Sequence, residues 1–287
     1  MLIRFTKMHG LGNDFMVVDA ISQHVYIRPE QIRRMADRHF GVGFDQLLIV
    51  EPPGRPDADF RYKIYNADGS EVENCGNGAR CFARFVTDNK LTIKKRVRVE
   101  TANGLLELKL TDKGKVIVDM GEPVLVPEQI PFRPTEPLPK DQQFQPAYPL
   151  TLATPAGGDQ LDIGVVSMGN PHGVLVVDSI RNAPVSTLGP ILEAHDCFPN
   201  KANIGFMEIV HRRFVRLRVF ERGVGETLAC GTGACAAVVS GQLRGLLDNR
   251  VEVKLPGGNL TIQWHGKGHS VLMEGPATRV FEGQIRL

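Results

Sequence analysis

The sequence carries one motif twice. YNADGSEVENCGNGARC (Tyr65–Cys81) aligns without a gap with FERGVGETLACGTGACA (Phe220–Ala236), and Cys75 falls on Cys230. A short apolar–basic–apolar pattern typical of a strand precedes each copy. Because an ordered self-match indicates an internal repeat, the sequence predicts a duplicated α+β domain.

The repeat extends outward from the cysteine motifs. Residues 11–19 resemble residues 168–178, and a helix candidate follows each stretch, at 29–41 and at 188–195. After each cysteine motif comes a predicted hairpin, one turning at Asn103-Gly104 and the other at 256–258. The sequence therefore predicts two similar domains whose elements follow in the same order.

Composition excludes several classes of protein. A chain of 287 residues is long enough for two domains. Lys and Arg number 34 against 32 Asp and Glu, so the net charge of +2 is too small for a dedicated nucleic-acid or membrane-surface binder. No apolar run approaches the length of a membrane helix, and no export signal is visible at the start. Five cysteines, an odd number, favour a reducing cytoplasm over a disulfide framework.

Prolines are dense between residues 123 and 155. Proline fixes φ and lacks a backbone donor, which favours extended linker structure. We therefore expect an N-terminal half at 1–121, a Pro-rich linker at 122–150 and a C-terminal half at 151–276.

Each motif cysteine precedes a predicted buried helix. The first N–H groups of a helix lack intrahelical partners, and the helix dipole favours negative charge there. Cys75 and Cys230 are thus placed where the pKa of a thiol can be lowered and where a carboxylate is readily held. Cys81, Cys197 and Cys235 are interpreted as small core residues, because a lone buried cysteine usually packs as a small apolar side chain. The cysteine spacings match no zinc site.

Duplication suggests a mechanism for the two thiols. If the halves face each other about a pseudo-twofold axis, a substrate carbon has one cysteine on each side. One thiolate then removes a proton while the opposite thiol supplies one, which inverts the stereocentre. Since no nucleotide-binding or pyridoxal phosphate motif is visible, the residues predict a racemase or epimerase with no cofactor and no metal.

Eight ordered motifs together resemble the diaminopimelate epimerase family. They are MHGLGNDF (Met8–Phe15), GFDQ (Gly43–Gln46), YNADGS (Tyr65–Ser70), ENCGNGARC (Glu73–Cys81), MGNPH (Met168–His172), NIGF (Asn203–Phe206), ERGVGET (Glu221–Thr227) and ACGTGAC (Ala229–Cys235). The resemblance implies an isomerase that converts LL- to meso-diaminopimelate for lysine and peptidoglycan synthesis. It also implies that each half is a curved mixed sheet around a central helix, with residues 277–287 returning to the first half.

The resemblance further implies roles for individual residues. Cys75 and Cys230 would be the acid/base pair, and His172 and Glu221 would tune their pKa values. Substrate-binding residues near the reacting carbon would be Gly76, Asn77, Gly231, Thr232, Asn13, Gln46 and Asn170. The residues that bind the ammonium and carboxylate at the distant end of the substrate would be Asn66, Asn203, Glu221 and Arg222. The expected partner is the small-molecule substrate, and a homodimer with Phe281 as a contact is also expected.

Three alternatives remain open from the sequence. Another racemase of the same fold, such as a proline-type enzyme, would need no distant ammonium and carboxylate site. A thiol redox protein would form a reversible disulfide between Cys75 and Cys230. A pure amino-acid-binding protein would leave the repeated thiol without a role.

Overall fold

The computed structural model describes residues 1–72, 76–102, 104–139, 141–152 and 159–287. Cys75 and Asn103, which the sequence singles out, lie outside these ranges. The chain forms two compact units, unit 1 (Met1–Asp119 and Glu274–Leu287) and unit 2 (Met120–Met273). Within the described ranges, no helix is long and apolar enough to cross a membrane.

Unit 1 contains eleven of the elements. They are β1 (Leu2–Gly10), β2 (Asn13–Asp19), α1 (Pro29–Ala36), β3 (Gln46–Glu51), β4 (Phe60–Asn66), β5 (Glu71–Val72), α2 (Gly76–Asp88), β6 (Arg96–Thr101), β7 (Gly104–Leu110), β8 (Val116–Asp119) and, from the C-terminal end, β18 (Thr278–Arg286).

The strands of unit 1 pair in the order β18–β1–β2–β3–β4–β6–β7–β8. The β2–β3 and β4–β6 pairs are parallel, and the other neighbours are antiparallel. Strand β5 turns back antiparallel on β4. The C-terminal strand thus belongs to unit 1, where it pairs with the first strand of the chain.

The remaining elements follow in chain order. They are β9 (Tyr148–Leu152), β10 (Asp159–Ser167), β11 (Pro171–Val176), α3 (Val185–Glu193), β12 (Asn203–His211), β13 (Phe214–Glu221), β14 (Gly225–Thr227), α4 (Gly231–Leu243), β15 (Arg250–Leu255), β16 (Gly258–Gln263) and β17 (Leu272–Gly275), which spans the unit boundary.

Unit 2 repeats the strand pairing of unit 1. Its order is β9–β10–β11–β12–β13–β15–β16, with β14 turned back on β13. The parallel pairs, β11–β12 and β13–β15, occupy the same places in this order as β2–β3 and β4–β6 do in unit 1. The predicted α+β duplication is confirmed by this correspondence.

A central helix lies against the sheet of each unit. Helix α2 contacts strands from β18 and β1 through to β7 and β8, and α4 contacts strands from β10 to β16. Every residue from 233 to 241 of α4 is buried, as expected for a helix that is small or apolar on nearly all sides. Contacts with strands far apart in the pairing order show that each sheet curves around its helix.

The shorter helices contribute to separate cores. Ile32 and Met35 of α1 pack in a buried cluster with strand residues of unit 1. Val185 and Leu192 of α3 do the same in unit 2. Helix α1 ends earlier than the predicted Gly41, because the Asp37 carboxylate accepts the next free backbone N–H groups, as in an Asx turn. Helix α3 is likewise displaced from the predicted 188–195.

The Pro-rich segment contributes residues to the core of unit 2. Residues 122–150, expected to be a linker, fall inside unit 2. Ile130, Phe132 and Tyr148 are almost fully buried in the unit 2 core, and Phe132 makes an edge contact with the Tyr148 ring. Apolar residues between the prolines therefore anchor the segment. The boundaries predicted at 121 and 277 stay predictions.

Packing between α4 and β10 gives a stability prediction. A Cβ added at Gly164 of β10 would run into Oγ of the fully buried Ser240, which has no hydrogen-bond partner among the described residues. We expect Gly164→Ala to lower the free energy of unfolding by about 1–3 kcal/mol through overpacking. Adding Ser240→Ala removes the clashing hydroxyl and should restore part of that loss. Urea titration of both single variants and the double variant measures this, and strictly additive effects would contradict the contact.

Candidate active site

The start of α2 carries the polar cluster of unit 1. Asn77, in the first turn, is buried, and its Nδ2 donates to Asn13 Oδ1 at 3.3 Å. Its own Oδ1 accepts from the Arg80 guanidinium at 3.0 Å. Gly76 opens the helix directly after Cys75 in the sequence. Asn13, Gly76 and Asn77 are therefore held in one cluster.

Two strand ends in unit 1 place further predicted residues together. Gln46 begins β3, Asn66 ends β4, and the two are register partners. Gln46 Nε2 donates to Asn66 Oδ1 at 3.0 Å, and Asn66 Nδ2 donates to Ser70 Oγ at 3.2 Å. Gln46 Oε1 is a buried acceptor without a partner among the described residues. An acceptor of this kind is suited to an ammonium group.

A network of charged side chains holds the Asn13 amide in place. Asn13 Nδ2 donates to Asp45 Oδ2 at 3.0 Å, and Arg38 holds the other oxygen of Asp45 at 2.7 Å. Arg38 also binds both oxygens of Asp14, which Lys7 contacts at 2.6 Å. Burial alone raises the pKa of Asp14, but the hydrogen bonds from Arg38 and Lys7 outweigh it and hold this pKa well below its usual range. The amide of Asn13 is thus fixed by permanent charges.

In unit 2, Cys230 is the N-cap residue of α4 and only 4% exposed. Its Sγ lies 3.6 Å from Thr232 Oγ1. Burial raises the pKa of Cys230 well above its usual value, and the negative charge of Glu221 adds to this rise. Hydrogen bonds from the Thr232 hydroxyl and the Gly233 N–H lower the pKa but do not outweigh the rise. The helix start therefore does not lower the pKa of the Cys230 thiol, because desolvation outweighs the effect of the helix terminus. Cys230 is a thiol at neutral pH.

Glu221 connects this thiol to its surroundings. Thr227 Oγ1 donates to Glu221 Oε1 at 2.5 Å. Burial raises the pKa of Glu221, while the hydrogen bonds from Thr227 and Cys230 oppose that rise. The carboxylate thus accepts from the thiol, and it disfavours a negative charge on the sulfur. Gly233 leaves room for this arrangement, since a Cβ there would lie 3.2 Å from Cys230 Sγ.

His172 and Asn203 lie side by side at the starts of β11 and β12. His172 is 1% exposed, and its Nε2 lies 3.0 Å from Asn170 Oδ1. Burial, and then the positive charge of Arg222, lower the pKa of His172 to about 3, so its imidazole is neutral. Asn203 Oδ1 accepts from the Arg222 backbone N–H at 2.9 Å. The predicted effect of His172 on the cysteines stays a prediction.

The turn after β13 orients Arg222. Its guanidinium donates to the Asn200 carbonyl at 2.9 Å, and its side chain is exposed. The next residue, Gly223, donates its N–H to Oε1 of the buried Glu193 at 2.9 Å. Asn203 and Glu193 therefore fix two successive backbone N–H groups of this turn.

Unit 2 gathers Asn170, His172, Asn203, Glu221, Arg222, Cys230, Gly231 and Thr232 around the starts of β11, β12 and α4 and the end of β13. Among the described residues, no cluster of three or more His, Cys, Asp or Glu side chains is arranged to hold a metal ion.

Comparison with known proteins identifies the family. The model of the diaminopimelate epimerase family matches residues 5–126 and 164–280. The chain is 56% identical over 287 residues to the diaminopimelate epimerase of Stutzerimonas stutzeri and 60% identical over 288 residues to that of Teredinibacter turnerae, with both chains of each pair fully covered. The chain belongs to the diaminopimelate epimerase family.

A distant solved structure shows the same fold. The hydroxyproline epimerase of Agrobacterium vitis, solved with bound trans-4-hydroxy-L-proline, matches 99% of this chain and 92% of its own with a TM-score of 0.67 at 16% identity. At this identity the likeness concerns the fold alone. The predicted fold class of the diaminopimelate epimerases is thus confirmed.

Sequence reasoning missed four supporting residues. Asp45 and Arg80 lie inside the motifs that carry the family resemblance, so a role for them could have been suspected. Arg38 and Glu193 lie outside those motifs and reach the site only through tertiary contacts, with Asp45 and Gly223 respectively.

The buried neutral His172 predicts an acid-sensitive stability. Its folded pKa of about 3 lies below the usual 6.5, so the unfolded chain binds a proton below pH 6.5 that the folded chain does not. This group should cost about 2 kcal/mol of stability between pH 7 and pH 5. We expect His172→Gln to remove that share of the acid sensitivity and the same change at the exposed His24 to leave it. Urea titrations at both pH values test this; equal pH sensitivity of wild type and His172→Gln would contradict it.

Proposed function

We propose that the protein interconverts LL- and meso-diaminopimelate without a cofactor, with Cys75 and Cys230 as its acid/base pair. Full-length identity of 56–60% to diaminopimelate epimerases supports the substrate. The observation that carries the mechanism is Cys230, a buried thiol that caps α4 beside Glu221. The gapless alignment of the two motifs places Cys75 in the first copy where Cys230 stands in the second.

The proposed chemistry is a balanced proton transfer. A thiolate takes the α-proton, and the electron pair of the broken C–H bond spreads into the adjacent carboxylate. The opposite thiol gives its proton to the other face of the carbon, which completes the inversion. The two sulfurs thereby exchange protonation states, and no electrons leave the substrate. A thiol with a raised pKa, such as that of Cys230, suits the donating role before the transfer.

Helix starts stabilise the charge that develops in this step. Backbone N–H groups of Gly76 and Asn77, and of Gly231 and Thr232, belong to first turns without intrahelical acceptors for them. We assign these donors to the carboxylate at the reacting carbon, where they act as an oxyanion site. Asn13, Gln46 and Asn170 are assigned to the same end of the substrate.

The distant end of the substrate is assigned to a second group. Asn66, Asn203 and Glu221 offer oxygen acceptors to an ammonium, and Arg222 suits a carboxylate because its planar fork binds two oxygens. The Arg222 backbone N–H donates to Asn203 Oδ1, so Asn203 helps to fix the turn that carries Arg222. Glu221 lies beside the Cys230 thiol and is assigned to this end of the substrate as well.

Strand β18 carries exposed apolar side chains that suit a contact between two copies of the protein. We infer a cytoplasmic homodimer with a contact at β18. Val280 and Phe281 are 55% and 47% exposed there, and the Phe281 ring meets Phe5 of β1 edge-on at 6.0 Å between centroids. Exposed apolar side chains on a supported strand are suited to an interface.

The substrate assignment is tested by activity. Reduced protein incubated with LL-diaminopimelate and no added cofactor should form the meso isomer, followed by chiral chromatography. Proline and hydroxyproline should not be racemised, because they lack the second ammonium and carboxylate. Turnover of a proline-type amino acid in place of diaminopimelate would transfer the assignment to the other racemases of this fold.

Both thiols should be necessary. We expect Cys75→Ser and Cys230→Ser each to slow epimerisation by at least about 100-fold, because a serine hydroxyl is a much poorer acid and base at neutral pH. Cys235→Ala is the matched control, since it removes a buried thiol from the same helix as Cys230. Near-normal rates in a folded Cys230→Ser variant would contradict the two-thiol mechanism.

A further inference from the structure

Glu193, the last residue of α3, is a buried acidic residue that the proposed reaction does not use. It is 8% exposed and stands outside the motifs that carry the family resemblance. Its Oε1 accepts the Gly223 N–H at 2.9 Å, and the same oxygen lies 3.6 Å from Lys201 Nζ. Its backbone carbonyl accepts the Ala202 N–H at 3.2 Å. One residue of α3 is thus bonded to two separate segments of unit 2.

Both segments carry residues that are assigned to the distant end of the substrate. Asn203 ends the first segment, and Arg222 lies in the second, directly before Gly223. The Arg222 guanidinium donates to the Asn200 carbonyl at 2.9 Å, and the Arg222 backbone N–H donates to Asn203 Oδ1 at 2.9 Å. The two segments therefore hold each other, and Glu193 holds both of them.

The hydrogen bond from Gly223 fixes the peptide that follows Arg222. The Val224 N–H donates to the Glu221 carbonyl at 3.1 Å, which closes a turn, and Gly223 has a φ of 73°. This φ is typical of the third residue of a type II turn, which differs from a type I turn mainly by a flip of the peptide between its two central residues. Here that peptide joins Arg222 to Gly223. Because Glu193 accepts its N–H, the peptide is held in one of these two orientations.

Lys201 shows that the first segment also needs support. Its φ of 57° lies in the left-handed region, which residues other than glycine rarely adopt and keep only where their surroundings hold them. Glu193 pairs with the Lys201 side chain and accepts the N–H of the next residue, Ala202. Glu193 thus supports a strained backbone directly after the Asn200 carbonyl that binds Arg222.

The aligned turn of unit 1 is held in a different way. In the gapless alignment of the two motifs, Arg222 falls on Ala67 and Gly223 on Asp68. The short helix α1 also contacts this turn, but there Arg33 donates to the Asp68 carbonyl at 3.0 Å. The short helix therefore supplies an acceptor to the turn that carries a guanidinium and a donor to the turn that carries alanine.

We propose that Glu193 is a positioning residue that determines how tightly the enzyme binds the distant carboxylate of diaminopimelate. Glu193 acts through Arg222, by fixing the peptide after it and the segment that supplies the Asn200 carbonyl. The inference rests on the proposed function. Because the reaction leaves the distant carboxylate unchanged, loss of this support should raise KM and leave kcat nearly unchanged.

Two variants of Glu193 separate the reach of the side chain from its charge. Glu193→Gln keeps an oxygen within reach of the Gly223 N–H, whereas Glu193→Asp keeps the carboxyl group and shortens the side chain by one methylene. We expect Glu193→Asp to raise the KM for LL-diaminopimelate about 10-fold and Glu193→Gln to change it by less than about twofold. Glu208→Asp is the matched control, because Glu208 of β12 accepts the Ile180 N–H at 2.8 Å in the same unit.

The kinetic result can contradict the proposal in two ways. A wild-type KM in Glu193→Asp would refute it, and so would an equal rise in both Glu193 variants. If Glu193→Asp does not fold, Glu193→Gln still decides, because a KM about 10-fold above that of the wild type in this variant would show that the accepted hydrogen bond is not what matters.

An Arg222→Met background distinguishes this role from a purely structural one. Without the guanidinium, Glu193→Asp should change kcat/KM by less than about twofold, because the two residues act through the same contact with the substrate. The slope of rate against substrate at low concentration gives kcat/KM for each variant. An undiminished effect of Glu193→Asp in the Arg222→Met background would show that Glu193 does not act through Arg222 and would overturn the proposal.

Amide hydrogen exchange, followed by NMR, separates failure of this inference from failure of the proposed function, because it needs no substrate. The Gly223 N–H should exchange at least about 10-fold faster in Glu193→Asp than in the wild type or in Glu193→Gln. This pattern in a protein that does not epimerise diaminopimelate would refute the function and leave the anchored turn intact. Unchanged exchange in a protein that does epimerise diaminopimelate would refute the role of Glu193 alone.

Discussion

The buried start of a central helix is the constraint on which each unit depends. The first turn of a helix exposes backbone N–H groups that cost free energy when they are buried without acceptors. In unit 2 most of this turn is buried, and Cys230 is the residue at the N-cap position. Gly233 leaves space around the thiol, since a Cβ there would lie 3.2 Å from Cys230 Sγ. The free N–H groups at this helix start are therefore suited to bind a substrate carboxylate.

Polar side chains at the ends of strands and at the helix start hydrogen-bond to one another. In unit 1, the amide of Asn77 meets Asn13, and Gln46 meets Asn66. Each pair joins a predicted binding residue to another, so their orientations are mutually fixed. Behind them, Asp45 anchors Asn13 through a charged hydrogen bond, which is stronger than a neutral one. Preorganised donors and acceptors need little rearrangement when charge develops on a substrate.

Duplication explains the shared scaffold, and divergence within it explains the chemistry that we propose. A symmetric pair of thiols has no preferred direction of proton transfer. Glu221 beside Cys230 breaks that symmetry, because the uncharged Asn66 stands at the aligned position in unit 1. The buried neutral His172 has as its counterpart Phe15, the residue in the same register position of unit 1. Related strands thus hold different side chains at the same register position.

Much of this architecture could be predicted from the sequence, because local patterns and the internal repeat act together. The hairpin that begins with β15 follows from its turn residues, and the buried helix α4 follows from a stretch that is small or apolar on nearly all sides. The packing of Phe132 into the core could not be predicted, since nearby prolines suggested a linker. The raised pKa of Cys230 also escaped prediction, because desolvation depends on the complete fold around the thiol.

Proton transfer between two thiols and one carbon is the central claim, and early-time deuterium exchange tests it most directly. LL-diaminopimelate is converted by the reduced protein in D2O, and NMR follows deuterium at the α-carbon in substrate and product. Our account predicts meso product labelled at the inverted carbon from the first turnovers, while unreacted substrate stays unlabelled, because each face has its own acid or base. Unlabelled product, or substrate labelled as fast as product, would contradict the two-thiol account.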